Sequence, residues 1–294
     1  MNDQPPSDTV LADLDLEGTF GTGFDVFVPE LEADVPDGAD PRDLFAYCLM
    51  LGDDALVFTQ RLIGWCTRAP ELEVEVALAN FGLDLLGQAR LLLGRAGHVE
   101  RAGRDEDALA FLRGPEAYRN VRFAEDAHAD FADCVLRLLV FSTWRGVLLS
   151  RLTSAPDLAL AAVSVRGVRE LAYHREFAAH WTARLGDGTE RSRRRTLRAW
   201  RGLRPLLQEL FVTHDVERRL AAAGCAVPAA DLRAEVEQAL AAALAPADIA
   251  LYDPVAPAVP GPRATGRDSR PGDALTELLT EMQSVARAYP GAVW

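Results

Sequence analysis

The chain has 294 residues, 49% of them hydrophobic and 26% charged, enough for one large globular domain or two small ones. Its formal net charge is −13, and all 31 basic residues are arginine, which argues against a nucleic-acid backbone as partner. There is no run of about 18 apolar residues, and the opening "MNDQPPSDTV" has no basic-then-apolar signal pattern, so no membrane span is expected and the expected location is cytoplasmic.

Residues 1–40, rich in Asp, Glu, Pro and Gly, read as an acidic N-terminal tail or a draped segment. The character changes at Pro41. The stretch "PRDLFAYCLMLGDDALVFTQRLIGWC" has apolar residues at helical spacing and no internal proline, so it predicts a first long helix. A second, "ELEVEVALANFGLDLLGQARLLLGRAG", opens with acids just after Pro70, as suits a helix N-terminus. It is apolar almost all round and is therefore expected to be buried. Residues 98–127 are polar and broken by Gly and Pro, with one short helix at "EDALAFL".

The third long helix is "ADFADCVLRLLVFSTWRGVLLSRL", and the fourth runs from about Asp157 to Leu185 and stops at "GDG". A fifth covers roughly 190–223, kinked near Pro205, and a sixth is "AADLRAEVEQALAAAL". A Pro/Gly/Arg linker is expected at about 252–271, before a last amphipathic helix, "DALTELLTEMQSVARAYP". Strand signals are nearly absent, so the fold class is all-α, with one helical domain over 41–294. Cys48, Cys66, Cys134 and Cys225 have no CxxC spacing and read as small buried thiols. His98, His128 and His214 fall near helix ends or in loops, where surface placement is the default, and Trp65, Trp144, Trp181 and Trp200 suit packing.

The two long hairpins repeat. The loop "TRAPEL" begins at Thr67 and "TSAPDL" at Thr153, an offset of 86. In that register Cys48 falls on Cys134, Asp84 on Glu170, Leu85 on Leu171 and Gln88 on His174. Two equal antiparallel pairs joined by a long crossover predict a four-helix bundle with one long connection.

Asn80, Asp84 and Gln88 stand four apart on the second helix, and Arg166, Glu170 and His174 occupy the equivalent places on the fourth. Each set shares one helix face. In di-iron carboxylate bundles this is the height of the metals, which takes a Glu-x-x-His from each of two helices. Three residues before Gln88 and His174, where those carboxylates belong, the chain has Leu85 and Leu171. Asp54 on the first helix remains a possible donor; the third offers Val140 and Ser142, and His180 faces elsewhere. The expectation is no metal site but a buried polar layer of Asp54, Asp84, Gln88, Arg166, Glu170 and His174 that satisfies itself. There is no phosphate-cradling glycine loop, nucleophile elbow or HExxH, so no catalytic or cofactor-binding residue is expected.

The blocks "LGDDALVFTQRLIGWCTRAPELEVEVALANFGLDLLGQAR", "FADCVLRLLVF", "AYHREFAAHWTARLGDGTERS" and "EMQSVARAYPGAVW" resemble the C subunit of bacterial phenylacetyl-CoA epoxidases. The resemblance covers roughly 41–215 and the last 25 or so residues. It implies a ferritin-like bundle with extra C-terminal helices and no iron of its own. It implies pairing with a paralogous di-iron catalytic subunit, alongside other small subunits and a flavin/iron–sulfur reductase. That complex uses O2 and NADPH to epoxidise the ring of phenylacetyl-CoA in phenylacetate catabolism. Two other readings stay open at this point. One is a stand-alone di-metal oxidase using Asp54, Asp84, Glu170 and His174; the other is a partner-free acidic helical protein with a stress or storage role.

Overall fold

A computed structural model of the chain describes residues 29–252, 265–290 and 292. Most of the expected tail, residues 1–28, and most of the expected linker, residues 253–264, lie outside the described residues. Within the described residues the fold is all-α, with no strand.

Four long helices build the bundle: α1 (Pro41–Ile63), α2 (Leu72–Glu100), α4 (Phe131–Leu152) and α5 (Leu158–Gly186), with the short α3 (Glu106–Phe111) in the crossover. Three of the long helices open on an aspartate whose side chain accepts a backbone N–H of the first turn. Asp40 takes Arg42 N at 2.7 Å, Asp130 takes Asp133 N at 3.1 Å and Asp157 takes Leu160 N at 3.0 Å. These caps satisfy amides that have no partner within the helix.

The 86-residue repeat has a geometric counterpart. Phe81 meets Phe177, Asp84 meets His174 and Gln88 meets Glu170, so each step forward on α2 is a step back on α5 and the two run antiparallel. Adding 86 to Asp84 gives Glu170, and subtracting 86 from His174 gives Gln88. The duplication therefore exchanges the Asp84–His174 contact with the Glu170–Gln88 contact, as a pseudo-two-fold axis between α2 and α5 requires.

The two layers of the bundle are covered unequally. Every residue from Tyr47 to Thr59 on α1 and from Ala132 to Arg145 on α4 is buried. Phe58 of α1 stacks on Phe141 of α4 at 4.0 Å. The elements beyond the bundle pack over these helices: α7 (Asp215–Ala221) and α9 (Asp273–Met282) on α1, α6 (Glu190–Leu203) and α8 (Arg233–Leu244) on α4. The expected fifth helix is thus split into α6, a 3-10 stretch from Arg204 to Phe211 carrying Pro205, and α7. The expected last helix breaks at Gln283, before α10 (Ser284–Ala288), because the buried Gln283 amide donates to Ala110 O and Arg113 O, both at 3.0 Å.

Helix α2 departs from expectation. Its composition implies burial all round, yet Leu72, Val76, Leu83 and Leu86 are exposed, because nothing described covers the outer side of the α2/α5 layer. Its length and apolar composition would suit a membrane span. Its buried Gln88 and Arg95 are bonded into the bundle instead, as befits a core helix.

Parts of the expected tail and linker are anchored. Arg95, fully buried, pairs with Asp157 at 2.7 Å and donates to the carbonyls of Leu31, Ala33 and Asp34, which holds the segment after Pro29 on the α2/α5 end. Residues Thr265, Gly266 and Arg267 are buried in a 3-10 turn. Gly266 is required there, since a Cβ would lie 2.0 Å from the Asn120 carbonyl oxygen.

Candidate functional site

The predicted polar residues of α2 and α5 do come together, but as a thread leading inward from the surface. Arg166 donates to Glu170 one turn along α5. Gln88 Nε2 donates to the other Glu170 oxygen at 2.8 Å. The Gln88 side-chain oxygen accepts Arg145 Nε of α4 at 2.8 Å, and Arg145 Nη1 donates to the Leu51 carbonyl of α1 at 3.1 Å. Beside the thread, His174 Nε2 donates to Asp84 Oδ2 at 2.9 Å, with the Phe81 ring 4.3 Å from the imidazole. His174 Nδ1 is buried and has no hydrogen-bond partner among the described residues.

The layer is not uniformly buried. Gln88 and His174 are, Asp84 and Glu170 are half-buried, and the Arg166 side chain is 67% exposed. A close approach makes the contact between hairpins possible: at Gly167 of α5 a Cβ would lie 2.6 Å from Leu149 and 3.2 Å from the Gln88 amide nitrogen.

Asp54 is not a member of this layer. Its carboxylate accepts the Val121 amide at 2.8 Å and Arg267 Nη2 at 2.7 Å. Arg267 also donates to the carbonyls of Met50 and Arg119. Asp53 next to it takes Arg113 and the Arg119 amide. The two buried aspartates of α1 therefore tie down the crossover and the C-terminal turn.

Arg145 joins the layer although the stripe spacing on α2 and α5 does not point to it. It is fully buried, and its Nη2 has no hydrogen-bond partner among the described residues. Burial pushes its pKa down to about 10, with Asp54 acting the other way. It therefore carries its charge at neutral pH between α1, α2 and α4. The signal in the sequence is a lone arginine in the apolar run "LLVFSTWRGVLL".

This donor set does not fit a pair of metal ions. Leu85 and Leu171 are buried in the apolar core, and a guanidinium, itself a cation, bonds to Gln88. The two carboxylates present are already engaged, Glu170 by Arg166 and Gln88, and Asp84 by His174, and an amide and one imidazole add little for a transition metal. Among the described residues no three His, Cys, Asp or Glu side chains converge on a point that could hold a metal. Open clefts of about 480 Å³ beside Trp65 and Met282 and about 520 Å³ beside Asp130 and Arg198 lie apart from the layer.

The remaining histidines divide. His128, expected at the surface, is buried against Phe58, and burial holds its pKa down at about 3, so it is neutral. His214 caps α7 by accepting Val216 N at 3.2 Å, and His98 and His180 are exposed. Cys48, Cys134 and Cys225 are buried as expected, while Cys66 is half-buried. Trp144, Trp181 and Trp200 are buried packing residues, and Trp65 is half-buried.

Comparison with known proteins adds two findings. A family model described as phenylacetic acid catabolic protein matches residues 30–294. The chain is also 38% identical over 253 residues to the C subunit of the 1,2-phenylacetyl-CoA epoxidase of Escherichia coli (strain K12), covering 86% of this chain and 100% of that protein.

Proposed function

The chain belongs to the family of phenylacetic acid catabolic proteins, and from that membership we propose that it is the noncatalytic, structural subunit of a phenylacetyl-CoA epoxidase. It pairs with a paralogous di-iron subunit that carries the chemistry, works with the other small subunits and a flavin/iron–sulfur reductase, and acts in the cytoplasm. The similarity to an epoxidase subunit supports the complex and the catabolic role.

The noncatalytic role is supported chiefly by one observation. Where a di-iron bundle places carboxylates and ions, this chain places Leu85, Leu171 and the buried guanidinium of Arg145. The interior contributes rigidity. The Arg166–Glu170–Gln88–Arg145 thread and the Asp84–His174 contact lock the two hairpins together, so the subunit presents a fixed surface to its partner.

The test is co-expression with the iron-bearing paralogue. The chain alone should hold almost no iron after anaerobic loading, should co-purify with the paralogue and should raise its epoxidase turnover, as subunits of one assembly do. About two irons per free chain, or no association under gentle conditions, would overturn the proposal.

A further inference from the structure

The cleft of about 480 Å³ beside Trp65 is built by three segments distant in sequence: the end of α1 with the turn after it, the loop before α4, and α9. Its size lies in the range that encloses a small organic molecule. Two side chains hold its walls in place. Arg61 donates through Nε to the Glu125 carbonyl at 2.6 Å and through Nη2 to the Ala274 carbonyl at 2.7 Å. Trp65 donates through Nε1 to the His128 carbonyl at 3.2 Å. The cleft is therefore fixed before any ligand arrives, which lowers the cost of binding.

Part of the lining is apolar. Ile63 is 39% exposed, and Trp65 and Met282 are half-buried. The only N–H of the Trp65 side chain is taken by the His128 carbonyl, so the indole offers the cleft an aromatic surface without a free polar atom. The Met282 thioether also favours an aromatic neighbour.

The rest of the lining is polar and suits one negative charge. The Arg61 bonds to Glu125 and Ala274 leave Nη1 without a hydrogen-bond partner among the described residues. Arg68 is exposed, lies 5.9 Å from the centre of the Trp65 ring and forms no ion pair among the described residues. His128 is buried and neutral, and its Nδ1 has no hydrogen-bond partner among the described residues. A buried polar atom left unpaired is costly, and the neutral ring can donate one N–H beside the two guanidinium groups.

Glu281 is the one acid in the lining, so two cations and one carboxylate leave room for a monoanion and disfavour a phosphate dianion. Asp126 and Glu277 act on Arg61 from outside the lining, which makes Arg68 the stronger attractor of the two.

We propose that this cleft binds a small aromatic carboxylate, its ring against Trp65 and Met282 and its carboxylate on Arg68 and Nη1 of Arg61. An aliphatic acid would forgo the aromatic contacts, and a neutral arene would leave both guanidinium groups unanswered. The site lies apart from the Gln88 layer and does not depend on the subunit reading above.

The experiment titrates the full chain with phenylacetate, an aromatic ring one methylene from a carboxylate, and follows the heat of binding. The expected result is one site per chain with a Kd on the order of 0.1–1 mM. Phenylacetamide, which lacks the charge, and cyclohexylacetate, which lacks the aromatic ring, should each bind about 5-fold more weakly or worse. Arg68→Ala, at an exposed position, should weaken phenylacetate about 10-fold or more with the melting temperature at the wild-type value. Arg198→Ala, in the cleft beside Asp130, should bind like wild type. No saturable binding by the wild-type chain well above that range would overturn the proposal. Undiminished binding in Arg68→Ala, or either analogue binding as tightly as phenylacetate, would overturn it as well. None of these outcomes bears on the subunit reading.

Discussion

Arg145 on α4 donates through Nε to the side-chain oxygen of Gln88 on α2 at 2.8 Å, and this bond joins the two hairpins at the height where a metal-bearing bundle keeps its ions. Gln88 bonds in both directions, accepting from Arg145 and donating to Glu170.

Gln88→Ala is expected to cost about 2–4 kcal/mol, because it leaves a buried guanidinium with one carbonyl partner. Adding Arg145→Met removes the stranded charge, so the double variant should be more stable than Gln88→Ala alone by about 1–2 kcal/mol. Urea denaturation of the four proteins of this cycle measures it. Additive losses would show that the two side chains act independently.

His174→Ala is expected to cost about 1–3 kcal/mol in the free chain, since it unpartners one oxygen of Asp84 and removes a ring packed on Phe81. In the assembled complex its effect should fall on abundance, with turnover per iron unchanged. A large drop in turnover at normal abundance would contradict the structural role.

Arg267→Ala is expected to cost about 3–5 kcal/mol, because the Asp54 carboxylate stays buried with only the Val121 amide as partner. The turn at Thr265–Asp268 loses its anchor, so limited proteolysis between 265 and 272 should quicken ahead of cleavage in the bundle. Asp54→Asn in the Arg267→Ala background should recover part of the loss.

Two buried groups set opposite pH dependences. Burial raises Glu125 from an ordinary 4.5 to about 7, with the Gly272 amide and Asn120 acting the other way. The folded state therefore holds that proton more tightly than the unfolded chain. Its contribution is fully present below about pH 4.5 and is lost as pH rises through about 7. His128 is the reverse: burial lowers it from 6.5 to about 3, so its contribution is present above about pH 6.5 and is lost as pH falls toward 3. Stability measured by denaturation from about pH 3 to about pH 8 should lose its acid limb in part in His128→Phe and its neutral limb in part in Glu125→Gln. Unchanged profiles in both would show that neither group is linked to folding.

Much of this architecture is legible in the sequence because the helix is a periodic object. Apolar spacing, aspartate caps and the twin "TRAPEL" and "TSAPDL" loops mark the two hairpins. Residues four apart share a face whatever the rest of the chain does, so Asp84 and Gln88 had to project together, as did Glu170 and His174. The duplication then required the two sets to meet, and Leu85 and Leu171 declare the missing carboxylates.

Tertiary structure alone decided what reaches each of these groups from afar. By spacing Asp54 belongs with the polar layer, but its hydrogen-bond partner Arg267 lies 213 residues away in the C-terminal turn. Local pattern carries no information about such a pairing, because it depends on how the C-terminal turn is routed. His128 reads as a loop histidine, and only the elements folded over Phe58 bury it. The uniformly apolar α2 could not announce which side would stay open; that follows from where the later helices pack, over α1 and α4 and against part of α5, which leaves Leu72, Val76 and Leu83 of α2 exposed.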